Sequence, residues 1–213
     1  NFYKISSKGK FYEDKYLEIS LKEEKYSNKR NLEIYSDLPK ALLSNYNFFN
    51  GLSGGKLLLN TSYDSKNSSS NLIIENFKVK EAPGLVKLLS LADFGGMVDA
   101  LSGEGLSFEK LEMNFEKDDK ILNLRELYAI GPSISILMEG YVESETGLIS
   151  LRGTMVPAKT LNRFLSKLPV VGEILIPKEI GEGLFGISFK MKGKSGDLKT
   201  SVNPIKTLTP RFI

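Results

Sequence analysis

The stretch LSFEKLEMNFEKDDKILNLRELYAIGPSISILMEGYVESETGLISLRGTMVP (Leu106–Pro157) decides the fold. Apolar and polar residues alternate through most of it, the pattern of strands with one face buried and one in water. Strands are expected at Phe108–Lys117, Lys120–Tyr128, Ser133–Glu143 and Gly147–Val156, separated by Asp118-Asp119, Gly131-Pro132 and Ser144–Thr146. Links this short make neighbouring strands antiparallel hairpin partners, so the segment reads as a β-meander.

Upstream, Pro83–Leu101 changes to a helical period through Leu85, Leu88, Leu89, Ala92, Met97, Val98 and Leu101, with Gly95-Gly96 as a weak point or a break between two helices. Before it, Gly54-Gly55 reads as a turn into the strand Lys56–Tyr63, Asp64–Asn71 as a polar hairpin loop, and Asn71–Lys80 as the returning strand. Tyr16–Glu23 and Asn31–Tyr35 alternate as strands. Ser36-Asp37 before Leu38-Pro39 reads as the cap of a short helix through Ala41, Leu42 and Leu43. Downstream come a helical pattern at Ala158–Leu168, a break at Pro169 and Gly172, an alternating strand Leu184–Met191 and a closing segment Ser201–Phe212. The expected fold is mainly β: a long, curved antiparallel sheet, an open groove or half-barrel, with a few short amphipathic helices.

Composition narrows the function. Lys and Arg exceed Asp and Glu only 29 to 26 and are spread along the 213 residues, so the footprint of a nucleic-acid binder is missing. Without histidine the chain lacks the usual general base at neutral pH and the commonest metal ligand; without cysteine it lacks thiolate chemistry and disulfides. No apolar run reaches the roughly 18 residues of a membrane span. The chain opens on Asn-Phe-Tyr-Lys-Ile-Ser, already strand-like and without an initiator methionine, and reads as the C-terminal piece of a longer protein with a sheet edge near Asn1.

Carboxylates are the remaining catalytic candidates. Asp118-Asp119 sits between lysines in a hairpin turn, and Glu179, Glu182 and Asp197 lie beside or near glycines without a motif around them. Gly103-Glu104-Gly105 and Gly181-Glu182-Gly183 do not continue into a phosphate-binding helix. The reading is a non-enzyme without cofactor or metal.

The apolar strand faces are more telling. Ile134, Ile136, Met138 and Val142 share one face, Ile149, Leu151 and Met155 the next, and Phe185, Ile187, Phe189 and Met191 a third. Two outcomes stand open: the helices Leu38–Ser44, Pro83–Leu101 and Lys159–Leu168, with Ile205–Phe212, cover these faces as a closed core, or part stays open as a groove for acyl chains. In the groove, Ile134, Ile136, Met138, Val142, Ile149, Leu151, Phe185, Ile187, Phe189 and Met191 are the lipid-binding candidates. Leu161, Phe164, Leu165 and Leu168 form an apolar stripe opposite Lys159, Asn162, Arg163, Ser166 and Lys167, a candidate contact for a membrane surface or protein partner, or else for the sheet itself.

Gly-Thr-Met-Val-Pro (Gly153–Pro157), the amphipathic Ala158–Leu168, the Pro169/Gly172 break and the Val-Asn-Pro of Val202–Pro204 together resemble the C-terminal end of the AsmA-like family of bacterial envelope proteins. The likeness extends upstream through Ser102–Phe108 and Ala129–Gly140. It implies a final hairpin after the break and a β-trough of the bridge-like lipid-transfer type. It further implies an inner-membrane anchor and further strands upstream, a periplasmic location in a Gram-negative envelope, and phospholipid moving between inner and outer membranes. The alternative is a closed adaptor cap that docks an envelope partner without carrying lipid.

Overall fold

The computed structural model describes residues 4–12, 14–24, 27–44, 51–80, 82–92, 94–157, 186–194 and 197–205. Eleven strands follow one another as β1 (Lys4–Lys10), β2 (Tyr16–Glu23), β3 (Arg30–Ser36), β4 (Leu52–Tyr63), β5 (Ser68–Val79), β6 (Leu106–Lys117), β7 (Ile121–Ile130), β8 (Ile134–Glu143), β9 (Leu148–Pro157), β10 (Gly186–Lys194) and β11 (Asp197–Ile205). They form one antiparallel sheet whose spatial order is the chain order, and β1 and β11 do not pair, so the sheet is open. Among the described residues there are three short helices: α1 (Pro39–Leu43), α2 (Pro83–Leu91) and α3 (Gly95–Ser102). The mainly β architecture and the antiparallel meander are as the alternation implied.

Turn chemistry sets the hairpins. Asp118 Oδ1 accepts from the amides of Lys120 (2.8 Å) and Ile121 (2.7 Å), closing β6 onto β7, and these bonds hold its carboxyl below the ordinary range. Asp64 does the same for Lys66 and Asn67, which corrects the expected loop Asp64–Asn71. Closure at Asp64–Asn67 puts Tyr63 opposite Ser68, so three serines of low strand propensity are drawn into β5. Ser70 is buried and its hydroxyl lies 3.0 Å from that of Thr61. Ser36 is not the cap of α1: Leu38 holds that position, and Ser36 Oγ accepts the Leu38 amide instead (3.0 Å).

Gly54-Gly55 is a kink within β4 rather than a turn before it. The ladder runs Gly54↔Phe77 and then Lys56↔Glu75, so Gly55 and Asn76 face each other unpaired, at φ +88° and +53°. The β5–β6 ladder skips the same level, from Glu75↔Lys110 to Phe77↔Phe108. Beyond the kink Phe77 and Phe108 stack with ring centroids 5.3 Å apart.

The sheet is curled with its apolar face inward. Lys87 of α2 donates to the Leu198 carbonyl of β11 (2.8 Å). Three extended and four helical residues place Lys87 at most about 17 Å from Lys80 at the end of β5. Six strand spacings separate β5 from β11, about 29 Å in a flat sheet. The gap closes only if the sheet bends around α2.

Two segments expected from sequence lie outside the described residues: the helix Ala158–Leu168, and the chain after Ile205. The expected strand Leu184–Met191 is β10 from Gly186, and Ser201–Ile205 belongs to β11.

Candidate functional site

Directly opposed residues on adjacent strands share a face, so the registers trace transverse rows across the whole sheet. One inward row runs Ser7, Ile19, Ile34, Leu59, Leu72, Met113, Leu127, Met138, Gly153, Phe189, Val202. A second runs Gly9, Leu17, Ser36, Leu57, Ile74, Leu111, Ala129, Ile136, Met155, Ile187, Pro204, and a third runs from Ile5, Leu21 and Leu32 to Leu151, Met191 and Thr200. No charged side chain interrupts these rows.

Nine of the ten groove candidates are described, and all nine lie on this face. Ile134, Met138, Ile187, Phe189 and Met191 are buried in the core, while Ile136, Val142, Ile149 and Leu151 are half-buried. Phe185, Leu161, Phe164, Leu165 and Leu168 lie outside the described residues. The register makes Gly153 a close approach. A Cβ there would sit 2.2 Å from the Leu137 carbonyl and 2.6 Å from Phe189 Cζ, so the Phe189 ring covers the glycine and fills the space between Met138 and Val202.

Cover is uneven along the sheet. α2 and α3 contribute Leu88, Leu89 and Leu101, all buried in one cluster with Ile74, Leu111, Met138, Met155 and Phe189. Over β1–β3 the first and third rows are open, although Ser36 of the second is fully buried: Ile5 is 55% exposed, Ile19 36%, and Leu21, Leu32 and Ile34 are half-buried. The edge strand β1 pairs on one side only, and all seven of its residues are exposed. Sequence reasoning noted Leu17, Ile19 and Leu21 as strand residues but not as the open end of the site, because alternation within one strand does not say what covers it.

The outward face carries polar networks among scattered apolar residues such as Leu58, Ile73 and Leu137. Glu112, opposite Tyr128, accepts from the Tyr128 hydroxyl, from Lys110 Nζ (2.8 Å) and from Asn71 Nδ2 (3.1 Å). Burial pushes the Glu112 carboxyl up, but the three donors outweigh it and hold it below the ordinary value; burial and the carboxylate raise Tyr128. A carboxylate saturated this way ties β5, β6 and β7 together and is spent as a base. Beside it lies a polar cleft of about 440 Å³ along β2–β7, with Asn60, Ser62, Ser69 and Asn71 between Lys22 and Glu33 on one side and Glu116 and Arg125 on the other. Among the described residues no group of carboxylates could hold a metal ion, and no helix is long and apolar enough to cross a membrane.

Comparison with family models, with curated proteins and with solved structures finds no match to this chain.

Proposed function

We propose that the curled sheet is a length of hydrophobic groove that holds phospholipid acyl chains along its inward rows, as part of an envelope protein guiding lipid between membranes. One observation carries this reading: rows with no charged side chain run from the covered core at β4–β10 to the unpaired edge β1. A self-contained domain would place charged residues inward on its outermost strands. Here Ile5, Ile19, Leu21, Leu32 and Ile34 continue the apolar surface toward water. Acyl chains laid there gain about 0.8 kcal/mol per buried methylene, with headgroups at the rim and no covalent step.

The burial of Met138, Ile187 and Phe189 favours the second reading, a closed adaptor cap that docks an envelope partner. The two combine in one geometry, in which α2 and α3 end the groove and β1–β3 receive lipid. Mass spectrometry of organic extracts from the purified protein decides between them. Copurified phospholipid, lost in Ile19→Asp, supports the groove; a lipid-free protein that also takes none from phosphatidylethanolamine/phosphatidylglycerol vesicles leaves the adaptor.

A further inference from the structure

We infer that α2 and α3 form a displaceable plug that occupies the covered half of the groove and swings out to admit a lipid chain. This inference rests on the groove reading for its ligand, but not for its geometry. The two helices are an insertion between β5 and β6, which pair up to Val79↔Leu106, so both ends of the insertion leave the sheet at one point. Lys80 stays tied to β4, its amide donating to the Gly51 carbonyl (2.8 Å), and Gly105 on the other side has φ +88° and donates to Ala100. The root is therefore a pair of adjacent pivots, with the sheet ladder beginning immediately beyond them.

Contact with the far wall is slight in kind. Lys87 gives one hydrogen bond to the Leu198 carbonyl, its lysine is exposed, and Gly84 offers no side chain to the Met191 methyl, which an added Cβ would approach to 3.6 Å. What fills the groove is aliphatic: Leu88 and Leu89 of α2 and Leu101 of α3 share one buried cluster with Met138 and Phe189, as acyl methylenes would. An apolar chain can replace them at the loss of one polar contact to the sheet, that of Lys87 with the Leu198 carbonyl, since the inward rows carry no charge. α2 itself bears one charge, Lys87, among its described side chains, and Leu91 is already 48% exposed, so the displaced helix presents an apolar surface that the lipid supplying the chain can cover.

The chain has no native cysteine, which permits a direct test. Gly84→Cys with Met191→Cys, bridged by dibromobimane, fixes the plug to β10; the unbridged double variant is its control. Uptake of pyrene-labelled phosphatidylglycerol from phosphatidylethanolamine/phosphatidylglycerol vesicles should fall at least tenfold on bridging. Native-state hydrogen exchange supplies a readout independent of lipid and of the cysteines. Amides of α2 and α3 should exchange through an opening that leaves β8 and β9 protected, and Lys87→Met should speed it at least tenfold. Separate opening with no lipid uptake by the parent sinks the groove and upholds the plug as a mobile element. Exchange of α2 and α3 only in step with β8 and β9, or undiminished uptake after bridging, overturns the plug.

Discussion

Met138 and Ile19 lie in the same transverse row, six strands apart on one inward face, yet 8% and 36% exposed. Replacing each by aspartate tests whether α2 and α3 seal one end and leave the other open. At Met138 the carboxylate would face Leu127, Gly153 and the cluster around Phe189, with no donor in the row. Losing the buried methionine costs about 1.5–3 kcal/mol, and an unpaired charge or its forced protonation adds several more, for at least about 4 kcal/mol. In a chain of this size that is a Tm loss of roughly 8–16 °C. At Ile19 the carboxylate can hydrate, and about two-thirds of the burial term is lost, about 1–2 kcal/mol or roughly 2–8 °C. Thermal denaturation by circular dichroism, paired with quantification of bound phospholipid, should show Met138→Asp unfolding early and Ile19→Asp folded but lipid-free. Equal Tm losses would refute the division of the face into covered and open parts.

Glu112→Gln should flatten the acid limb of stability. The folded carboxyl is held below its ordinary 4.5, so its contribution is present above that value and fades as pH falls below it. Urea midpoints measured between about pH 6 and pH 3 should drop less in the variant than in the parent. Gly153→Ala drives a methyl against the Leu137 carbonyl and the Phe189 ring and should cost about 1–3 kcal/mol by urea denaturation; a neutral result would mean that β8–β10 are spaced more loosely than the register requires.

The meander was legible because each hairpin carried its own short-range signal. Asp118 can close a turn with two backbone amides whatever lies elsewhere, and Ile134, Ile136, Met138 and Val142, like Ile149, Leu151 and Met155, keep to one parity along their strands. The helix pair was legible too, as a change of period, although the break falls between Leu91 and Gly95 and the two glycines open α3. What failed were readings in which local preference and ladder competed. Gly54-Gly55 looked like a turn, but Leu52 pairs with Val79 and carries the strand through it; the serines at 68–70 looked like loop until the hairpin closed at Asp64. Strand pairing over eleven or twelve residues outweighs the propensity of two or three.

The curl was also written in the sequence, in a form that period counting hides. Three neighbouring strands change phase at one level: Leu57 and Leu59 against Leu52, Leu72 and Ile74 against Phe77 and Val79, Leu106 and Phe108 against Leu111 and Met113. Each slip falls on two consecutive outward positions, Gly55-Lys56, Glu75-Asn76 and Glu109-Lys110, and the registers place Lys56, Glu75 and Lys110 side by side. β7 slips once more at Arg125-Glu126, where its ladders with β6 and β8 both shift. Had the Asn114↔Glu126 register continued, Arg125 would stand opposite Phe115 on the inward face. The extra residue turns it outward to Glu116, 2.6 Å away. A polar doublet inside an alternating strand therefore preserves the apolar face while bending the backbone that carries it. Aligned across β4, β5 and β6 just before the root of α2 and α3, the doublets fold that end of the sheet inward and bring the plug within reach of β11.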